Sequence, residues 1–232
     1  MDVDEAIQYA IEHTQVLRAP KQRLATFGTT NVYYYLIAQP AYADLFDATS
    51  ETVIREGRII AERPKIVTPH YLSHLFEGFE HGREYAQFLI RQYGAHEPGL
   101  LYRYRNEPKG FNVVSNPIDT VAFRLDEKIR KEGDSLAALI KGIDEMWDIS
   151  LMKFIHDMTR GSMGANIAEL QGRGLLDVDR KGIPRDARET IGGLFEQTRR
   201  GEYEPFELKA ELDRWGLFAE YEDKFLALFK KS

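Results

Sequence analysis

The sequence predicts an α+β protein. A mixed half, residues 1–115, would carry a small sheet with flanking helices, and an all-helical half would follow at residues 116–232. Two observations predict this. Short β-branched and aromatic runs bounded by turn residues cluster before residue 115. From Asn116-Pro117 onward the apolar residues recur at helical spacing, punctuated by Gly133, Gly161, Gly174, Gly201 and Gly216. Strands followed by a run of helices define this class. No low-complexity linker parts the two halves, so a shared core is expected.

The elements follow in chain order. Ile7, Ala10, Ile11 and Leu17 repeat at helical spacing, and Asp4 and Glu5 suit a helix N-terminus, so residues 4–17 read as a helix stopped by Ala19-Pro20. Residues 32–37, Val-Tyr-Tyr-Tyr-Leu-Ile, read as a buried strand. Residues 51–63 hold two β-branched runs around Glu56-Gly57 and read as a hairpin, with Gly57 supplying a positive φ. Lys65-Ile66-Val67 would extend the sheet at an edge. Thr68-Pro69 is a helix start, with Gly94 as the expected C-terminal cap. Residues 99–105 and 111–114 read as two strands around a turn at Asn106-Glu107-Pro108-Lys109-Gly110. Helices are then expected at 117–132, 135–160, 164–172, 185–200, 205–215 and 217–230.

Composition narrows the function classes. At 232 residues, 43 % hydrophobic and 12 % aromatic, the chain is too apolar to be disordered. The absence of cysteine excludes a disulfide scaffold, a thiol nucleophile, a thiolate zinc site and an iron–sulfur cluster. No apolar run approaches the ~18 residues of a membrane helix. The acidic start Met1-Asp2-Val3-Asp4-Glu5 is unlike a secretory signal, so a soluble, cytoplasmic protein is expected. The net charge of −6 is spread over both halves, which argues against duplex DNA and leaves RNA open. Phosphate-loop, dinucleotide and nucleophile-elbow motifs are absent.

Four features could carry chemistry. On the helix after Thr68, His70, His74, Glu77, His81 and Glu84 fall within about 80° of one another. His74, Glu77 and His81 have the i,i+3 and i,i+4 offsets that let one helix chelate a divalent transition metal, although a stripe opposite the apolar face is usually the solvated face. No other cofactor is expected. Glu145, Asp148, Met152 and His156 form a second arc, with Asp148 and His156 as acid/base candidates. Tyr102-Arg103-Tyr104-Arg105 alternates on a strand, so Arg103 and Arg105 share a face. With Arg55 and Arg58 they would form a surface for phosphate or RNA. Finally, Trp215, Phe218, Tyr221 and Phe225 crowd the last helices and suit a docking surface. The segment beginning Asp177-Val178-Asp179 imitates a calcium loop, but Lys181 and Arg188 occupy ligand positions and exclude it.

The leading expectation is an accessory or regulatory protein acting through a protein partner or as a homo-oligomer. The second is a metal-dependent hydrolytic enzyme built on the histidine stripe. The third is an RNA- or phosphate-binding module.

Overall fold

The computed structural model describes residues 3–43, 50–75, 87, 90–91 and 94–229. Its elements are α1 (Val3–His13), β1 (Gln15–Arg18), β2 (Thr30–Ala38), β3 (Thr52–Ala61), β4 (Lys65–Val67), α2 (Pro69–Leu75), β5 (Gly99–Leu101), β6 (Tyr104–Val114), α3 (Ile118–Glu132), β7 (Ala137–Lys141), α4 (Trp147–Gly172), α5 (Arg185–Arg199), α6 (Pro205–Arg214) and α7 (Phe218–Leu226). A 3-10 turn, Ala227–Phe229, follows. The fold is α+β, with a mixed five-stranded sheet and helices mostly in the C-terminal half. No helix among the described residues is long and apolar enough to cross a membrane.

By contact the chain forms two compact units, neither continuous in sequence. Unit 1 comprises Met1–Arg63 and Tyr102–Asn166; unit 2 comprises Pro64–Leu101 and Ile167–Ser232.

Unit 1 is built on the sheet β1-β7-β2-β3-β6. β7 runs parallel to β2, and the other neighbours are antiparallel. Alternation along β2 sends Val32, Tyr34 and Leu36 to one face, where they pack with Leu151 and Phe154 of α4. It sends Tyr35 and Ile37 to the other, where they pack with Ile118, Val121 and Ile129 of α3. The centre of the sheet is therefore covered on both sides, and its β3–β6 edge is more open.

Four expectations are corrected here. The first helix ends at His13, and residues 15–18 form strand β1, paired to β7 through Gln15–Lys141 and Val16–Ile140. Leu17 is exposed, so its helical spacing was coincidental. Residues 52–61 form one continuous strand instead of a hairpin. Gly57 has no positive φ. It is needed because the Tyr34 ring lies across it: a Cβ there would sit 2.5 Å from the Tyr34 hydroxyl oxygen and 2.8 Å from the Glu107 carbonyl oxygen. Residues 104–114 likewise form one strand, running through Pro108. Proline is tolerated because β6 is the sheet edge. Residues 137–141, expected at the start of a helix, form β7, which lies between β1 and β2 and is almost wholly buried. A short apolar run is ambiguous by periodicity alone, and here pairing on both sides decides it. The helix that follows starts only at Trp147 and continues through Gly161 and Gly164 to Gly172.

In unit 2, β4 pairs with β5 as a two-stranded ribbon of its own, apart from the main sheet. Tyr71, Ile191, Phe195, Leu208, Leu212, Trp215 and Phe225 form its core with the two α6-flanking helices α5 and α7. Inside that core lies a charged knot. The Glu211 carboxylate accepts hydrogen bonds from Lys65 Nζ (2.5 Å), Tyr71 Oη (3.0 Å), Trp215 Nε1 (3.0 Å) and Arg214 (3.2 Å). Burial pushes this carboxyl up, but Lys65 and the neutral donors outweigh burial and hold it below its ordinary value.

Candidate anion-binding cleft

The register of the sheet brings Leu36, Arg55 and Phe111 into line across β2, β3 and β6, on the face covered by α4. Leu36 is buried under α4, whereas Arg55 and Phe111 lie towards the open edge. The α4 helix begins beside them with Trp147. Arg55 is consequently flanked by two rings: its guanidinium carbon is 4.7 Å from the Phe111 centroid and 5.1 Å from the Trp147 centroid. Each such contact contributes about 0.5–2 kcal/mol, depending on desolvation. Nη2 of Arg55 donates to Asp144 Oδ1 at 2.9 Å, and the other carboxylate oxygen of Asp144 accepts from the Ala41 N–H at 3.3 Å.

Another donor of Arg55 is left unserved. Among the described residues, its Nε is the buried side-chain polar atom that has no hydrogen-bond partner. Such orphaned donors are rare and costly, because desolvation is not repaid by a new bond. Around Arg55 opens a cleft of about 300 Å³ lined by Tyr34, Glu56, Lys109, Gly110, Phe111 and Trp147. Phe111 is 56 % exposed, so a large apolar ring faces solvent at the mouth. Tyr34 lies at the inner end; its hydroxyl donates to Asn106 Oδ1 at 3.1 Å. Burial raises the Tyr34 phenol, with the Asn106 hydrogen bond and the Arg55 charge acting the other way. The phenol therefore stays neutral.

A bulge shapes one wall. Gly57 pairs with Pro108 and Glu56 with Gly110, which leaves Lys109 as the extra residue in β6. Bulges re-aim side chains at sheet edges. Here Lys109 lines the cleft while its Nζ stands 4.7 Å above the Tyr33 ring.

The four arginines singled out from sequence thus have different surroundings. Arg58 lies on the opposite face of β3, where it is hydrogen-bonded to Glu107 through Nε at 3.0 Å and through Nη2. That bond holds the Glu107 carboxyl below its ordinary value. Arg105 reaches the same carboxylate at 3.2 Å and is 70 % exposed. Arg103 is exposed. Their tyrosine neighbours turn inward: Tyr102 meets Asn166, and Tyr104 meets Thr159, both on α4.

The other candidates divide as follows. Glu77 and His81 lie outside the described residues, as does the His74 side chain. The His70 ring centroid is 6.1 Å from that of His96. Among the described residues, no group of three or more His, Cys, Asp or Glu is gathered to hold a metal. Asp148 and His156 are both exposed on α4; Asp148 accepts from the Ile149 N–H at 2.9 Å, and His156 is 3.5 Å from Asp157. Trp215, expected at a docking surface, is 2 % exposed and bonded to Glu211. Phe225 is buried in the same core, and Phe218 and Tyr221 pack against it. Trp215 and Phe225 are thereby removed from the surface, whereas Phe218 and Tyr221 remain partly exposed. The large apolar side chains exposed in this region are Phe206, Leu226 and Phe229.

Sequence reasoning missed Phe111, Trp147, Asp144 and Lys109 as companions of Arg55. The aromatic-plus-arginine composition was a signal, but the register that aligns Arg55 with Phe111 depends on β3 and β6 each being one strand. Compared with known proteins, the chain matches no family model, no curated protein and no solved structure.

Proposed function

We propose that unit 1 is a binding module for a nucleotide-type ligand, a planar ring carrying a phosphate, held in the Arg55 cleft. The observation that carries this reading is the orphaned Arg55 Nε beside an exposed aromatic ring. A ligand ring would stack on Phe111, and an acceptor atom would engage the guanidinium. Lys109 would meet the phosphate. The cleft lining includes Glu56 as well as Lys109, and Arg55 is already paired to Asp144. This balance disfavours a polyphosphate and suits one negative charge per ring. The first turn of α4 already holds Asp148, which makes that helix end a poor second phosphate site.

Titration calorimetry with uridine and adenosine monophosphates tests the reading. Wild-type protein should bind at least one of them, and Arg55→Met and Phe111→Ala should each weaken binding about tenfold or more. Phe111 is largely exposed, so its variant should remain folded. A wild-type protein that binds neither nucleotide would sink the proposal.

A further inference from the structure

The cleft does not end at Lys109. We infer that it is one end of a track for single-stranded nucleic acid that crosses the sheet edge at the Lys109 bulge and continues over Tyr33 and Tyr35 on the opposite face. This rests on the nucleotide reading of the Arg55 cleft and extends it from a single nucleotide to a strand.

Tyr33 and Tyr35 are both partly exposed and point to the same face of β2, about 6.7 Å apart along the strand. Each ring carries an ammonium group. Lys109 Nζ is 4.7 Å from the Tyr33 centroid, and Lys128 Nζ is 5.0 Å from the Tyr35 centroid and 3.0 Å from its hydroxyl oxygen. Arg58 is directly opposite Tyr33 in the β2–β3 register, and Arg105 shares Glu107 with it. Aromatic rings alternating with flexible cations are what a single strand requires: bases stack on rings, and lysines swing aside to phosphates. A free mononucleotide uses Phe111 and Lys109, and would leave Tyr33, Tyr35 and Lys128 without a role. The charge balance of the cleft fits as well, since a strand carries one phosphate per base. Glu56 and Glu107 on the same face temper the positive field, so binding should be modest and strongly weakened by salt.

The test compares labelled ~10-nucleotide oligo(U) and oligo(dT) by fluorescence anisotropy with uridine monophosphate by calorimetry. A strand should bind about tenfold more tightly than the mononucleotide. Lys128→Ala should weaken strand binding about threefold and lower the salt slope by roughly 0.7, while leaving mononucleotide binding unchanged. Tyr33→Leu should also weaken the strand; Lys128 is a surface residue, so its variant keeps the test valid if the tyrosine variant unfolds. The preferred oligomer identifies the sugar. If a mononucleotide binds as tightly as either strand, or if Lys128→Ala leaves strand binding unchanged, the track is wrong and the Arg55 cleft stands alone. If neither mononucleotide nor strand binds, both readings fall.

Discussion

Glu211 in unit 2 and Arg55 in unit 1 are both charged groups set among aromatic rings, and they differ in how their hydrogen-bonding capacity is used. Glu211 accepts from Lys65, Tyr71, Trp215 and Arg214. Arg55 has one carboxylate partner, two ring faces and a buried Nε with no acceptor. A fully answered polar network rigidifies the structure around it. One with an unanswered donor calls for an explanation, which the proposed ligand supplies. Both are charge-bearing constellations, and satisfaction rather than composition separates the structural one from the functional candidate.

The largest expected effect comes from breaking the answered network. Glu211→Ala leaves the Tyr71 hydroxyl and the Trp215 indole N–H without their acceptor and Lys65 with only the Tyr71 oxygen, and should cost about 3–5 kcal/mol in urea unfolding. A cost below about 1 kcal/mol would mean that the knot is not structural. The same network has a pH signature. The folded Glu211 carboxyl sits below its ordinary value, so its contribution to stability is fully present above the unfolded glutamate pKa. It is lost as pH falls through the depressed folded value. The acid limb of the stability profile should therefore become shallower in Glu211→Gln than in wild type, and parallel limbs would remove this assignment.

Smaller effects are expected in unit 1. Gly57→Ala drives a methyl into the Tyr34 ring and the Glu107 carbonyl, and should cost about 1–3 kcal/mol by denaturant titration. A neutral outcome would show that Tyr34 is free to leave the strand. The smallest effect sharpens the comparison most. Arg55→Met keeps an unbranched chain between Phe111 and Trp147 and removes the orphaned donor, while Asp144 retains the Ala41 N–H. Removing the orphaned donor offsets part of the lost ring contacts and Asp144 pairing, so stability should fall by no more than about 2 kcal/mol, even as nucleotide binding weakens about tenfold or more. A loss matching that of Glu211→Ala would make Arg55 a structural residue after all.

Particular elements show how far sequence reading reached. The helices at 118–132, 185–199 and 205–214 were legible because Pro117, Pro184 and Pro205 start them and an amphipathic period runs through them. The strand at 30–38 was legible from its three consecutive tyrosines and β-branched flanks. The hairpin reading of residues 51–63 failed because Gly57 carries two meanings in sequence, a turn or a close approach, and only the Tyr34 ring distinguishes them. The 106–110 segment failed for a related reason. Pro108 and Gly110 look like a turn, yet at a sheet edge the same residues form a bulge. Of the candidate cleft, the sequence singled out Arg55 as a candidate, but not the partners around it.

By itself the sequence determined the α+β class, the absence of thiol chemistry, the stops and starts of the amphipathic helices and the arginine–aromatic composition. These are local or compositional properties, readable from spacing and residue type. Tertiary structure alone decided that residues 137–141 form a central strand, that Trp215 is buried on Glu211, and that Arg55 stands between Phe111 and Trp147. Each of these joins residues far apart in the chain: β7 takes its identity from β1 and β2, Trp215 meets Tyr71, and Arg55 meets a ring 56 positions away. Local propensity is worth tenths of a kcal/mol per residue, whereas burying a paired strand or an aromatic ring is worth roughly 1.5–3 kcal/mol per large side chain, so packing overrides propensity wherever the two disagree.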